Sequence, residues 1–77
     1  MYTLNTAGYT AIIDWIARDA RPEVNARAFF VEAERAADAL DDGFDAIVEM
    51  GGQYTRSGNP ETINLPADCF DRCEVAS

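Results

Sequence analysis

The chain contains no histidine and no lysine, and it has only two cysteines among its 77 residues. Without histidine, general acid–base catalysis would fall to carboxylates or tyrosines, and a catalytic carboxylate pair needs a pocket that separates the two pKa values. Two cysteines are too few for a disulfide-stabilised scaffold or for a closed zinc site, which needs about four ligands. These absences predict a protein that is not an enzyme and that has no metal or cofactor.

Long apolar runs are also absent, and no segment has the pattern of a secretory signal or of a membrane span of about 18 residues. Together with the small number of cysteines, this predicts a cytoplasmic protein that does not bind membranes. The length predicts one small domain over residues 1–77, in which only about 60% of the surface of the unfolded chain becomes buried. Since 48% of the residues are hydrophobic, the chain should fold.

Positive charge is scarce, because six arginines face 14 aspartates and glutamates, and the net charge is −8. Phosphate groups are attracted by positive surfaces, so this excess disfavours direct binding of nucleic acid or of an anionic membrane. It favours a partner protein with a basic surface. The alternative interpretation is that the acidity only keeps a small protein in solution.

A first amphipathic helix is predicted after a short lead-in, with Asn5 or Thr6 as N-cap and an end at Arg21 and Pro22. Its apolar positions recur at helical spacing. They are Tyr9, Ile12, Ile13, Ile16, Ala17 and Ala20. Trp15 lies beyond the edge of this stripe. It is either a cover over the rim of the core or an exposed anchor for a partner.

Residues 26–42 predict a second amphipathic helix, which carries both core residues and charge. It begins at Pro22 as first-turn residue or at Asn25 as N-cap, and Gly43 ends it in a left-handed conformation. Apolar residues fall on one arc, namely Ala26, Phe29, Phe30, Ala33, Ala36, Ala37 and Leu40. A neighbouring arc holds the carboxylates of Glu34, Asp38, Asp41 and Asp42.

From residue 44 the period changes to two, which predicts a strand over residues 44–50, with a second helical piece as the alternative. Gly51 and Gly52 form either a tight turn or a bulge. Residues 53–56 then continue as strand, residues 57–60 form a turn, and residues 61–65 return as the antiparallel partner.

The C-terminal region predicts an edge strand over residues 69–75, or a single helical turn over residues 66–70. The resulting fold class is α+β, with two helices packed on a small antiparallel sheet of two or three strands. The edge strand leaves open whether the protein is a monomer or a homodimer. The roles of the two cysteines also stay open. The predicted core is Ile12, Ile13, Ile16, Phe29, Phe30, Leu40, Val48 and Ile63.

The acidic arc is the strongest functional signal, and Asp45 and Glu49 extend it. We expect a partner-binding surface whose negative charge attracts the protein to a basic, nucleic-acid-receiving groove of another protein. The predicted binding residues are Trp15, Glu34, Asp38, Asp41, Asp42, Asp45 and Glu49. In size and charge the whole chain resembles the anti-CRISPR proteins, small inhibitors encoded by phages. The resemblance implies a CRISPR-Cas effector as target, a DNA-mimic-like action and no cofactor.

Two other hypotheses follow from the same residues. A regulatory or antitoxin-like subunit would bind its partner through an apolar patch that includes Trp15 and Tyr54, and salt would affect that binding little. A small enzyme would require a concave pocket with two carboxylates whose pKa values differ.

Overall fold

The computed structural model describes residues 1–73 and contains two α-helices whose first residues follow asparagine caps. Helix α1 spans Thr6–Asp19, and its cap is Asn5, whose side chain accepts a hydrogen bond from the Gly8 N–H at 3.1 Å. Helix α2 spans Ala26–Ala36, and the Asn25 side chain accepts from the Arg27 N–H at 3.0 Å. An asparagine oxygen thus satisfies a donor that the first helical turn leaves free.

The second predicted helix changes its winding halfway. After Ala36 the chain continues as a 3₁₀ helix over Ala37–Asp42, which we call the acidic helix. Gly43 ends it with a φ of 83°, as the sequence predicted. Because a 3₁₀ helix has about three residues per turn instead of 3.6, the acidic side chains are arranged differently from the predicted arc.

Within residues 1–73, four short strands form two separate antiparallel pairs. Strands β1, Tyr2–Leu4, and β4, Phe70–Arg72, pair near the two ends of the described chain. Strands β2, Ala46–Met50, and β3, Glu61–Leu65, form the second pair. The predicted α+β class is confirmed, while the strands divide between two sheets of two strands each.

The connection between β2 and β3 differs from the prediction. Residues 53–56 do not form a strand: Gly52–Tyr54 is a 3₁₀ turn, and Thr55 makes an isolated bridge with Ala20. The partner of β3 is therefore β2. Gly52 lies so close to the carbonyl of Gly58 that a Cβ atom would overlap it, and this close approach folds the connection back on itself.

Both predictions for the C-terminal region hold in part. A 3₁₀ turn over Ala67–Cys69 leads into β4, which pairs with β1. Of the other residues in the predicted edge strand, Cys69 belongs to the 3₁₀ turn and Cys73 follows β4 outside any strand. The remainder, including Val75, lies outside the described residues. The predicted strand over residues 44–50 is also confirmed from Ala46 onward.

The two helices cover one face of the β2–β3 pair. Helix α2 contacts β2 and β1, and α1 contacts α2 and β3. Ala46, Val48 and Met50 face the helices and are buried, whereas Ile47 and Glu49 point to solvent. One connected core results, formed by Leu4, Ile12, Trp15, Ala20, Phe29, Ala33, Ala37, Ala46, Val48, Met50, Ile63, Leu65, Cys69 and Phe70.

Half of the predicted core is correct, with Ile12, Phe29, Val48 and Ile63 buried. The half-buried members are Ile16, Phe30 and Leu40. Ile13 was predicted wrongly, since 52% of it is exposed. The buried stripe of α1 consists of Gly8, Ile12 and Trp15. It is rotated by about 100°, the angle of one residue, from the predicted stripe.

A second set of polar contacts closes the C-terminal end of α1. Arg56 donates from Nε to the Ala20 carbonyl at 2.8 Å, and its backbone N–H donates to the Asp19 carbonyl at 2.7 Å. Arg21 donates from its backbone N–H to the Tyr54 carbonyl at 3.0 Å. The two Arg56 donors satisfy carbonyls that the end of α1 leaves unpaired. Together with the Arg21 N–H, they attach the β2–β3 connection to α1.

Candidate functional site

The acidic helix concentrates negative charge at the C-terminal end of α2. Asp38, Asp41 and Asp42 are all exposed. In a 3₁₀ helix residues three positions apart lie above one another, so Asp38 and Asp41 share one ridge and Asp42 lies beside it. Like charges at this spacing repel each other. The acidic helix therefore needs contacts that hold it in place.

Several contacts anchor the acidic helix. Ala37 is fully buried and Leu40 packs partly against the core. At its C-terminal end, the Gly43 N–H donates to the Leu40 carbonyl at 3.2 Å and the Phe44 N–H donates to the Ala39 carbonyl at 3.1 Å. The segment is thus fixed from both ends while its carboxylates face solvent.

Tyr2 in β1 provides a further anchor. Its hydroxyl donates to an Asp41 carboxylate oxygen at 2.8 Å. This hydrogen bond raises the pKa of Tyr2 above 10.0, because ionisation would remove the donor and place two negative charges together. Partial desolvation adds to the rise in pKa, and the positive charge of Arg72 opposes it. The sequence contains no signal for this pair, since 39 positions separate its members.

Glu34 does not belong to the exposed surface that the sequence predicted. Its side chain is half-buried and accepts a hydrogen bond from the Leu4 N–H at 3.1 Å. The carboxylate thereby satisfies a backbone donor at the end of β1 and attaches this strand to α2. Glu34 therefore has a structural role in the fold, and its carboxylate is less exposed than the sequence predicted.

Asp45 and Glu49 lie on the solvent side of the β2–β3 pair and are exposed. An Asp45 carboxylate oxygen accepts a hydrogen bond from the Asn64 side-chain amide at 3.1 Å. Glu49 follows Asp45 by four positions of extended chain, which corresponds to about 13 Å. Asp45 therefore follows the acidic helix closely, while Glu49 lies at the far end of the strand.

Trp15 is not an exposed anchor. Only 6% of it is accessible, and its ring packs edge-on against Phe29 with ring centres 5.7 Å apart. The rotation of the α1 stripe explains this, because Gly8 allows the helix to approach the chain near Cys69 and turns Trp15 inward. Trp15 is thus a core residue, and its assignment as a binding residue is wrong.

Few countercharges lie on the acidic surface. Within residues 1–73 the only ion pair joins Arg35 to Glu32 at 3.3 Å, and both side chains are largely exposed. Asp38 and Asp42 make no side-chain hydrogen bond or ion pair in this part of the chain. Asp38, Asp41, Asp42 and Asp45 are all exposed and lie within residues 38–45 around Gly43, and we call them the acidic surface.

The cysteines do not form a metal centre with other side chains in the described part of the chain. No group of three or more histidine, cysteine, aspartate or glutamate side chains is arranged there to hold a metal ion. Cys69 is a buried free thiol, and burial together with the nearby Asp68 carboxylate raises the pKa of its sulfur. The Cys73 sulfur lies 3.5 Å from the Thr3 hydroxyl oxygen.

Comparisons of the chain with models of protein families, with curated proteins and with solved structures find no match. Neither helix within residues 1–73 combines the length and the apolar character required to cross a membrane.

Proposed function

We propose that this protein is a non-enzymatic cytoplasmic inhibitor that binds a basic, nucleic-acid-receiving surface of another protein through its acidic surface. The observation that supports this proposal is the exposure of Asp38, Asp41 and Asp42 on a six-residue helix with no ion pair among the described residues. Carboxylates that already form ion pairs within the protein would attract a basic partner less strongly.

The anchoring of the acidic helix supports the same proposal. A flexible acidic tail would lose conformational entropy when it binds, and this loss would weaken the complex. Here the Tyr2 hydroxyl and the hydrogen bonds around Gly43 hold the charged segment before a partner arrives. A fixed array of negative charges is suited to replace the phosphates of a bound strand, which is the action of a DNA mimic.

The class of target follows from the resemblance to anti-CRISPR proteins. A guide-loaded CRISPR-Cas effector has a positively charged channel that receives DNA. An acidic protein that occupies this channel prevents DNA binding without any chemical reaction. The proposal therefore requires no cofactor and no direct contact with nucleic acid.

The experiment measures DNA binding by a panel of purified guide-loaded effectors with and without the protein. We expect inhibition of at least one effector that weakens strongly between about 50 and 200 mM salt, because the contact is electrostatic. The double variant Asp38→Asn/Asp42→Asn should lose about tenfold or more in inhibitory potency, which corresponds to about 1.4 kcal/mol.

The matched control is the double variant Asp14→Asn/Glu23→Gln, which removes the same amount of charge from exposed positions outside the acidic helix. It should inhibit nearly as well as the parent protein. Equal losses in the two double variants would show that only net charge matters. Full inhibition by the Asp38/Asp42 variant would refute the proposed surface.

A further inference from the structure

A groove of about 510 Å³ lies between α2 and the end of β2. Its volume falls within the range of small-molecule sites, about 300–1,000 Å³. The residues that matter for its chemistry are Phe29, Val31, Glu32, Glu49, Met50 and Tyr54. The acidic helix does not line this groove, and Glu49 is the one predicted binding residue that does.

The groove has an apolar floor and apolar walls. Phe29 and Met50 are 5% and 2% exposed and form the floor, while Val31 and Tyr54 keep 49% and 45% of their surface accessible. Covering these two exposed apolar side chains with a partner would be favourable, because it removes apolar surface from water.

The Tyr54 ring has a defined position. It packs edge-on against Phe29 at a ring-centre distance of 5.9 Å and an interplanar angle of 90°. Its backbone N–H donates to the Gly51 carbonyl, and its own carbonyl accepts from the Arg21 N–H, both at 3.0 Å. The Tyr54 backbone is thus held by hydrogen bonds at its N–H and its carbonyl, the ring packs against Phe29, and part of the residue stays accessible.

Two glutamates line the same groove, Glu32 on α2 and the exposed Glu49 on β2. The Glu49 carboxylate has no hydrogen-bond or ion-pair partner within residues 1–73. Glu32 on the opposite side contacts Arg35, but this pair is 72% and 54% exposed, and such exposed pairs contribute little. The groove therefore presents apolar surface, an aromatic ring and at least one unpaired carboxylate together.

An arginine side chain matches all three features. Its aliphatic stem covers apolar surface, its planar guanidinium binds over aromatic rings, and its N–H groups match a carboxylate. Lysine offers a point charge without the planar group, and a purely apolar side chain leaves Glu49 without a partner. We propose that this groove binds an arginine side chain of a partner protein. This inference is independent of the proposed function, because its test needs no effector.

The test is a titration of the whole protein with the peptide acetyl-Gly-Arg-Gly-amide, followed by amide chemical shifts in NMR spectra. Matched peptides carry citrulline, which is neutral and has nearly the same shape, or norleucine, which is apolar. We expect saturable shifts centred on Val31, Glu49 and Tyr54 with the arginine peptide. Citrulline should bind about three- to fivefold more weakly, the range that an exposed charge interaction provides.

Two variants locate the site. Glu49→Gln should weaken arginine binding about three- to fivefold, whereas Asp14→Asn, which removes the same charge from an exposed position on α1 outside the groove, should leave it unchanged. Both positions are exposed, so the spectra should show an intact fold.

Each opposite result overturns the proposal. Equal binding of the citrulline peptide would exclude a charge-specific site, and equal binding of the norleucine peptide would indicate an apolar occupant. Shifts centred on residues 38–42, or no effect of Glu49→Gln, would place the arginine elsewhere. Failure here would leave effector inhibition by the acidic surface unaffected.

Discussion

The substitution Gly8→Ala tests the close approach of α1 to the chain before β4. A Cβ atom on residue 8 would overlap the backbone carbonyl of Cys69 and would lie 2.5 Å from a Leu4 methyl carbon. The same carbonyl accepts a hydrogen bond from the Asn5 N–H at 3.0 Å. Because a backbone carbonyl cannot rotate away as a flexible side chain can, the start of α1 must move and stretch this hydrogen bond.

Two opposing effects determine the sign of the change. Alanine is the better helix former by about 1 kcal/mol, which would stabilise the variant. Loss of the hydrogen bond with its acceptor left buried costs about 1–3 kcal/mol, and overpacking against Leu4 costs about 1–3 kcal/mol more. The net result is a destabilisation of about 1–5 kcal/mol, equivalent to a fall in Tm of about 4 °C or more.

Urea unfolding measured by tryptophan fluorescence provides the assay, because Trp15 is the only tryptophan and is buried. Thr10→Ala is the matched control, since residue 10 is exposed on the same helix. It should raise the free energy of unfolding by up to about 0.7 kcal/mol. If Gly8→Ala stabilises the protein to a similar degree, the close contact with Cys69 does not exist and the reasoning fails.

Three further predictions concern the core, the end of α1 and the tyrosine at the acidic helix. Trp15→Ala should destabilise the protein by about 3–5 kcal/mol in urea unfolding followed by far-ultraviolet circular dichroism, a probe that needs no tryptophan. Ile13→Ala at an exposed position should cost less than about 1 kcal/mol in the same assay, and similar costs would contradict the rotated stripe. Arg56→Gln should cost about 1–3 kcal/mol in the same assay, because helix-end carbonyls lose a charged donor, and no loss would show that water replaces it. In an ultraviolet pH titration, Tyr2 should ionise with a pKa above the ordinary tyrosine value of 10.0, and the Tyr2→Phe variant identifies its signal. Because the folded pKa of Tyr2 is raised, its stabilising contribution is complete below pH 10.0 and disappears as the pH rises through the folded pKa. Asp41→Asn should remove this rise in the pKa of Tyr2. An unchanged titration of the variant would contradict the Tyr2–Asp41 contact.

Local chemistry allowed several parts of the fold to be predicted from the sequence. Asn5 and Asn25 cap the helices, and Gly43 has the left-handed conformation expected at a helix end. The period of two after residue 44 identified β2, whose side chains alternate between buried and exposed. Each of these features depends on interactions among residues close in sequence.

The pairing between distant segments could not be predicted from local sequence patterns. Tyr2 lies opposite Arg72 in the β1–β4 pair, and β2 pairs with β3 across a connection that was predicted to contain a strand. The predicted orientation of α1 was wrong for the same reason, because it depends on contacts with distant segments. Gly8 has little hydrophobic surface, so a helical wheel cannot show that it faces the chain near Cys69.

The candidate site shows the same division. Helical periodicity placed Asp38, Asp41 and Asp42 near one another, and the acidic helix does so as well, through a different winding. The partners that remove Glu34 from the surface and hold Asp41 come from β1, more than one helix away along the chain. Charge clustering was therefore predictable, whereas the use of individual carboxylates in the fold was not.

The positions of individual carboxylates can distinguish solubility from binding as the reason for the acidity. Solubility depends mainly on net charge and is nearly indifferent to where a carboxylate lies. Binding depends on position, because only charges within about one Debye length of the partner contribute, about 8 Å in physiological salt. Asp38 and Asp42 are suited to separate the two, since neither has a side-chain partner within residues 1–73 whose loss would disturb the fold. A protein that needs its charge only for solubility would tolerate their neutralisation as well as that of Asp14 and Glu23, whereas a binding surface would not.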